Sequence, residues 1–217
     1  MAKTISRFQY ITQDLVGKSH YELASRACIA GTDWVQLRVK NKSYNEWLDI
    51  ALETKLVCTK HHAKLIINDS VIIAKAAKAD GVHLGKTDMS PSEARKILGD
   101  NFIIGGTANS FEDIKYLVSE RADYIGLGPY QYTTTKENLS PVIGLEGYGN
   151  IIEKCNAYGI KIPLIAIGGI KIEDIKLLIE KGLYGIAVSS AVNLAENSID
   201  AIKRFKNKIK LEIEKRA

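Results

Sequence analysis

Aromatic residues make up only 7% of the 217 residues, too few for a nucleic-acid surface built on base stacking. Cysteine is equally sparse. Cys28, Cys58 and Cys155 are odd in number, far apart and form no C-x-x-C pair, which excludes a disulfide framework and a thiolate zinc site. Free, buried thiols in a reducing compartment are expected. No apolar run is long enough to span a bilayer. Residues 1–8, MAKTISRF, carry no signal-peptide apolar stretch, so a cytoplasmic chain without a membrane partner is expected. No Pro/Ser/Gly-rich linker or low-complexity tract divides the sequence, and residues 1–217 are expected to form one domain. The net charge of +5 comes from scattered lysines rather than a patch; it argues against nucleic acid and suits a small anionic substrate.

What the sequence does hold is a steady alternation of short apolar strands and helical patterns. Strands are expected at 8–11, 34–39, 64–67, 81–84, 102–105, 124–128, 163–167 and 185–188. Helix starts lie between them: Ser19-x-x-Glu22, Ser43-x-x-Glu46, Ser90-x-x-Glu93 and Ser110-x-x-Asp113 all have capping-box spacing. Pro91 falls at a first helical position, where its missing N–H is no loss. Ile202, Phe205, Ile209 and Ile213 give the terminal segment an apolar stripe, with a solvated basic face opposite. Repeated β-then-α units imply parallel strands. Eight such units closing on themselves make a (β/α)8 TIM barrel; the alternative is an open doubly wound sheet. Residues 129–147 form the longest irregular stretch, a length that in a compact domain usually carries function.

The polar residues that call for explanation fall at the carboxyl ends of the expected strands, where a parallel barrel carries its active site. In Val35-Gln36-Leu37-Arg38-Val39-Lys40 the polar set alternates with the apolar one. In a barrel, Gln36, Arg38 and Lys40 would face the lumen, and the cations would need carboxylates or an anionic ligand. In an open sheet the same pattern reads as a half-exposed strand. Asn68-Asp69 ends the third strand, His83 lies on the fourth, and Asp88 follows that strand. Asp69 and Asp88 could share a hard cation such as Mg2+; either could instead cap a following helix. Thr107 ends the fifth strand, and Thr133, Thr135 and Lys136 offer hydroxyls and an ammonium on the long loop. Gly168-Gly169 and Ser189-Ser190 follow the seventh and eighth strands, the usual phosphate site of such barrels.

These segments, taken in order with Asp123-Tyr-Ile-Gly-Leu-Gly-Pro129, resemble the thiamine-phosphate synthase family over nearly the whole chain. The resemblance implies a transferase that couples 4-amino-5-hydroxymethyl-2-methylpyrimidine diphosphate to thiazole phosphate, releasing pyrophosphate by a Mg2+-assisted dissociative path. It implies that Gln36, Arg38 and Lys40 hold the diphosphate and pyrimidine side, and that Asp69 and Asp88 hold Mg2+. His83 and Thr107 would then lie near the pyrimidine and the reacting carbon. Asn68, Thr133, Thr135 and Lys136 would contact phosphates. Gly169 and Ser190, with Ser189 beside it, would bind the thiazole phosphate. A homo-oligomer is compatible with the sequence. Thr107 and Asn109 depart from the family pattern, which usually has serine at the first position and often histidine at the second. Two alternatives share the scaffold: a thiazole tautomerase and a non-catalytic sensor of thiamine phosphate. Asn68, Asp69, His83, Asp88 and Asn109 favour the synthase over the tautomerase, and the retained metal carboxylates Asp69 and Asp88 argue against the sensor.

Overall fold

The computed structural model describes residues 3–133 and 140–216. Strands and helices alternate as β1 Phe8–Ile11, α1 His20–Ile29, β2 Trp34–Leu37, α2 Tyr44–Lys60, β3 Lys64–Asn68, α3 Val71–Ala76, β4 Gly81–Leu84 and α4 Pro91–Leu98. They continue as β5 Ile103–Ala108, α5 Phe111–Ser119, β6 Tyr124–Leu127, α6 Gly144–Ala157, β7 Leu164–Ile167, a 3-10 turn at Ile172–Asp174, α7 Ile175–Glu180, β8 Gly185–Val188, α8 Ser190–Asn193 and α9 Ser198–Glu214. Each strand pairs in parallel with the next, and β8 pairs with β1. That closure makes a (β/α)8 barrel and removes the open-sheet alternative. No described helix is long and apolar enough to cross a membrane.

The helices begin where the sequence marks them. At Ser19, Ser43, Ser90 and Ser110 the serine hydroxyl accepts the amide three residues on, and the acidic partner reaches back to the serine amide. Ile202, Phe205 and Ile209 of α9 are buried against the barrel, with the Phe8 and Phe205 rings 6.3 Å apart. All three cysteines are buried and free.

Period-two alternation sorts the strand residues into two layers. Val35, Leu37, Leu65, Ile67, Val82, Leu84, Ile104 and Ile125 pack outward under the helices. Trp34, Ile66, Ile103, Tyr124, Ile165 and Ala187 fill the lumen. Along β2 to β4, the inward residue nearer the carboxyl end is polar: Gln36 follows Trp34, Asn68 follows Ile66 and His83 follows Gly81. The barrel is thus plugged by apolar side chains below and floored by polar ones above. Two strands end elsewhere than expected by two residues or more: β2 stops at Leu37 rather than at 39, and β5 runs on to Ala108, with Gly105 a packing glycine rather than a break. A Cβ there would stand 2.1 Å from the Tyr124 ring.

Candidate active site

The mouth at the carboxyl ends is built by short loops from neighbouring strands. β2 stops at Leu37, so only Gln36 is buried inside the barrel. Arg38 is half-buried and Lys40 exposed, both at the mouth, which corrects the expectation that alternation carries them into the lumen. The physical reason is desolvation: a cation at the rim keeps water and a carboxylate within reach. Lys40 Nζ lies 2.5 Å from Asp69 Oδ2.

Neither aspartate is a helix cap. Ser70 caps α3, its hydroxyl accepting the Ile73 amide at 3.2 Å, and Ser90 caps α4. Asp69 is left in the left-handed region, at φ 66°, with its amide donating to the His83 carbonyl at 2.8 Å. Asp88 Oδ2 accepts the Gly85 amide at 2.6 Å, and its carboxyl contacts that of Asp69. Burial, and then the charge of Asp69, push Asp88 above the usual carboxylate range, against the Gly85 amide and Lys40, which pull it down. Two carboxylates in contact fit a hard divalent cation. Among the described residues no group of three or more His, Cys, Asp or Glu could hold a metal, so such a cation would need water or ligand oxygens as its other donors.

Beneath the mouth runs a directed chain of hydrogen bonds. Gln36 Nε2 donates to Gln9 Oε1 and Gln9 Nε2 to the Tyr124 hydroxyl, each at 3.3 Å. The Tyr124 oxygen lies 3.0 Å from His83 Nδ1, and His83 Nε2 lies 3.0 Å from Thr107 Oγ1. Burial raises the Tyr124 phenol well above its ordinary value, so it stays a donor. With its proton on Nε2, His83 then donates to Thr107, whose own proton can turn to the cleft. Gln9 and Tyr124 escaped the sequence reading. The signal for Gln9 was available: it alternates with Phe8 and Tyr10, as His83 does with Val82 and Leu84. Tyr124 gave none, since an aromatic at a strand start reads as core.

The opposite wall comes from the loops after β6, β7 and β8. Thr133, Gly169, Ser189 and Ser190 line the same cleft as Gln36, Arg38, Lys40, Asn68, Asp69, His83 and Thr107. Thr135 and Lys136 lie outside the described residues. Gly169 has φ 68°, and a Cβ on it would come within 2.9 Å of the Tyr132 carbonyl oxygen. Its bareness therefore seats the neighbouring loop as well as opening the wall. Asn193 Nδ2 reaches both the Ser189 hydroxyl at 3.1 Å and the Ile11 carbonyl at 3.2 Å. Asn109 donates to the Gly128 carbonyl and accepts the Ser140 hydroxyl at 3.0 Å. Both faces of its amide are occupied in holding the two ends of the β6–α6 connection.

A closed parallel barrel with its polar side chains gathered over the strand ends is the architecture of a barrel enzyme. Residues 9–192 match the family described as thiamine monophosphate synthase. The thiamine-phosphate synthase of Bacteroides fragilis is 49% identical over 199 residues, 92% of this chain and 98% of that one. That of Flavobacterium johnsoniae is 44% identical over 204 residues, 94% of this chain and 96% of the relative. The solved thiamine phosphate pyrophosphorylase of Pyrococcus furiosus superposes with a TM-score of 0.83 at 32% identity, covering 95% of this chain and 97% of that one. The chain belongs to the thiamine-phosphate synthase family, whose members are transferases.

Proposed function

We propose that this chain joins 4-amino-5-hydroxymethyl-2-methylpyrimidine diphosphate to thiazole phosphate, yielding thiamine phosphate and pyrophosphate. The observation that carries this reading is the rim itself: Asp69 and Asp88 in contact, with Lys40 on Asp69 and Arg38 on the same cleft. A diphosphate brings oxygen ligands and several negative charges, and the rim complements both. Asp69 and Asp88 would hold Mg2+, with phosphate oxygens and water completing its shell. Bound there, Mg2+ supplies neutralisation of the charge that grows on departing pyrophosphate.

The residues divide the remaining work. Arg38 offers a planar fork and Lys40 a point charge to the diphosphate oxygens. The carbon–oxygen bond of the pyrimidine methylene breaks, and its electron pair leaves with pyrophosphate. The electron-rich ring delocalises the resulting cation until the thiazole nitrogen supplies the pair for the new carbon–nitrogen bond. Thr107, held by His83, would face the pyrimidine. Gly169, Ser189 and Ser190 would hold the thiazole phosphate so that its ring nitrogen stays close to the reacting carbon. Asn68, Thr133 and, on the loop outside the described residues, Thr135 and Lys136 would contact phosphates. No protein nucleophile is required.

The test is one assay with both substrates, with Mg2+ and with a chelator, scored for thiamine phosphate. Product that depends on Mg2+ in the wild type, and that falls by orders of magnitude in Asp69→Asn and Asp88→Asn, is expected. Full activity in the chelator, or in both variants, would overturn the metal assignment. Absence of product in every condition would overturn the reaction.

A further inference from the structure

The connection from β1 to α1 holds a hydroxyl, an imidazole and a carboxylate in a row that the reaction above leaves unused. His20 Nδ1 lies 2.8 Å from Thr12 Oγ1, and Nε2 lies 3.0 Å from Asp14 Oδ1. Such a row activates a nucleophile when its hydroxyl faces a substrate. This one does not. Thr12 is fully buried, and its oxygen accepts the Arg38 amide at 3.1 Å. Asp14 accepts the Lys40 amide on its second oxygen at 3.2 Å. The row faces the backbone that carries the two cations of the mouth.

The strand ladder explains why that backbone needs it. β1 ends at Ile11 and β2 at Leu37, and the Thr12 amide bonded to the Gln36 carbonyl at 2.9 Å continues the pairing one step past β1. The amides of Arg38 and Lys40 come next on that side of the chain, and side-chain oxygens of Thr12 and Asp14 receive them in place of strand carbonyls. With its proton on Nε2, His20 accepts the hydrogen bond donated by the Thr12 hydroxyl on Nδ1 and donates to Asp14 from Nε2, so each donor in the row has an acceptor. His20 is itself buried at the first residue of α1, whose start is fixed by the Ser19–Glu22 capping box. The row thus ties an anchored helix start to two successive amides beyond the end of β2.

We propose that Thr12, Asp14 and His20 are positioning residues that set the height and direction of Arg38 and Lys40 over the diphosphate; this rests on the diphosphate reading given above. Thr12→Val keeps the shape and removes the acceptor, whereas Thr12→Ser keeps the acceptor. A lost amide hydrogen bond corresponds to about tenfold in an equilibrium. Thr12→Val is expected to raise the KM for the pyrimidine diphosphate about tenfold, leave that for thiazole phosphate unchanged and speed hydrogen exchange at the Arg38 amide, while Thr12→Ser restores both. Asp14, whose side chain is 43% exposed, gives a second variant that spares the core: Asp14→Ala should show the same KM split, with faster exchange at Lys40. Equal changes in both KM values, or exchange unaltered at residues 38 and 40, would overturn the proposal. Calorimetric titration with inorganic pyrophosphate and Mg2+ separates it from the functional reading. Were the wild type to form no thiamine phosphate, the reaction assignment would fall. The clamp would then stand if Thr12→Val weakens pyrophosphate binding and fall if it does not.

Discussion

The Tyr124 hydroxyl joins Gln9 to His83, and so joins the buried floor of the barrel to the Thr107 hydroxyl at the cleft. Tyr124→Phe removes that single atom and nothing else. The ring still fills the lumen against Trp34, 4.8 Å away, so the fold should survive. Removing a buried hydrogen-bonding link costs about 1–3 kcal/mol. Denaturant titration should show that loss. If the chain of hydrogen bonds aims Thr107 at the substrate, kcat should also fall several-fold, with the Mg2+ dependence unchanged because Asp69 and Asp88 are untouched. Lower stability with an unaltered kcat would mean that the chain only supports the floor. Residue by residue, the mouth was readable where chemistry was unusual for its place: His83 is polar within a strand, and Arg38, Lys40, Asp69 and Asp88 are charged just past the carboxyl ends of strands. It was unreadable where a side chain does ordinary work and polar work at once, as Tyr124 does, or where local hydrogen bonds hide it, as with Thr12 and His20.

At the scale of elements, capping chemistry made the starts of α1, α2, α4 and α5 legible, because Ser-x-x-Glu or Ser-x-x-Asp is a local code that needs no tertiary contact. Where a helix starts without such a cap, as α6 does after Ile143, the sequence is mute. The cap of α2 is also a pH device. The Ser43 hydroxyl, its amide and then Lys42 hold Glu46 down from about 4.5 to about 2. A depressed carboxylate contributes stability above its unfolded pKa and loses it as pH falls through the folded one. Protection of the first amides of α2, measured against the intrinsic exchange rate at each pH, should therefore fall between about pH 4.5 and 2 in the wild type, whereas in Ser43→Ala it should already be low at neutral pH and change less. An identical profile in both would remove the cap from the account. Strand ends were read less well. β5 was expected at 102–105. It continues past Gly105, that glycine accommodating the ring of Tyr124, its register partner on the neighbouring strand β6. Gly105→Ala should destabilise by about 1–3 kcal/mol through overpacking. Adding Tyr124→Leu should recover part of that loss, so the pair is non-additive. Strict additivity in thermal unfolding would show that the ring moves aside freely.

At the scale of the whole molecule, closure of the barrel is what gives scattered motifs a common site. Asn68 pairs with His83 across β3 and β4, so the loops that follow bring Asp69 and Asp88 together although they are distant in the chain. Alternation of elements predicted a barrel, but contact between these carboxylates depends on register, which no local pattern carries. That contact is also the lever by which ligand binding should be felt through the entire fold. A ligand at a hundred times its Kd stabilises by about 2.7 kcal/mol. For a chain of this size that corresponds to a rise in Tm of about 5–10 °C. Inorganic pyrophosphate with Mg2+ should raise Tm by this order at saturation, and by more than the two added separately, because each completes the other's ligand set. Asp69→Asn should abolish the synergy and leave only the shift that pyrophosphate gives alone through Arg38 and Lys40. If the carboxylates merely repel one another, the same substitution would instead raise the ligand-free Tm by relieving the repulsion and leave the synergy intact. Differential scanning fluorimetry on the wild type and this one variant separates the two, independently of turnover.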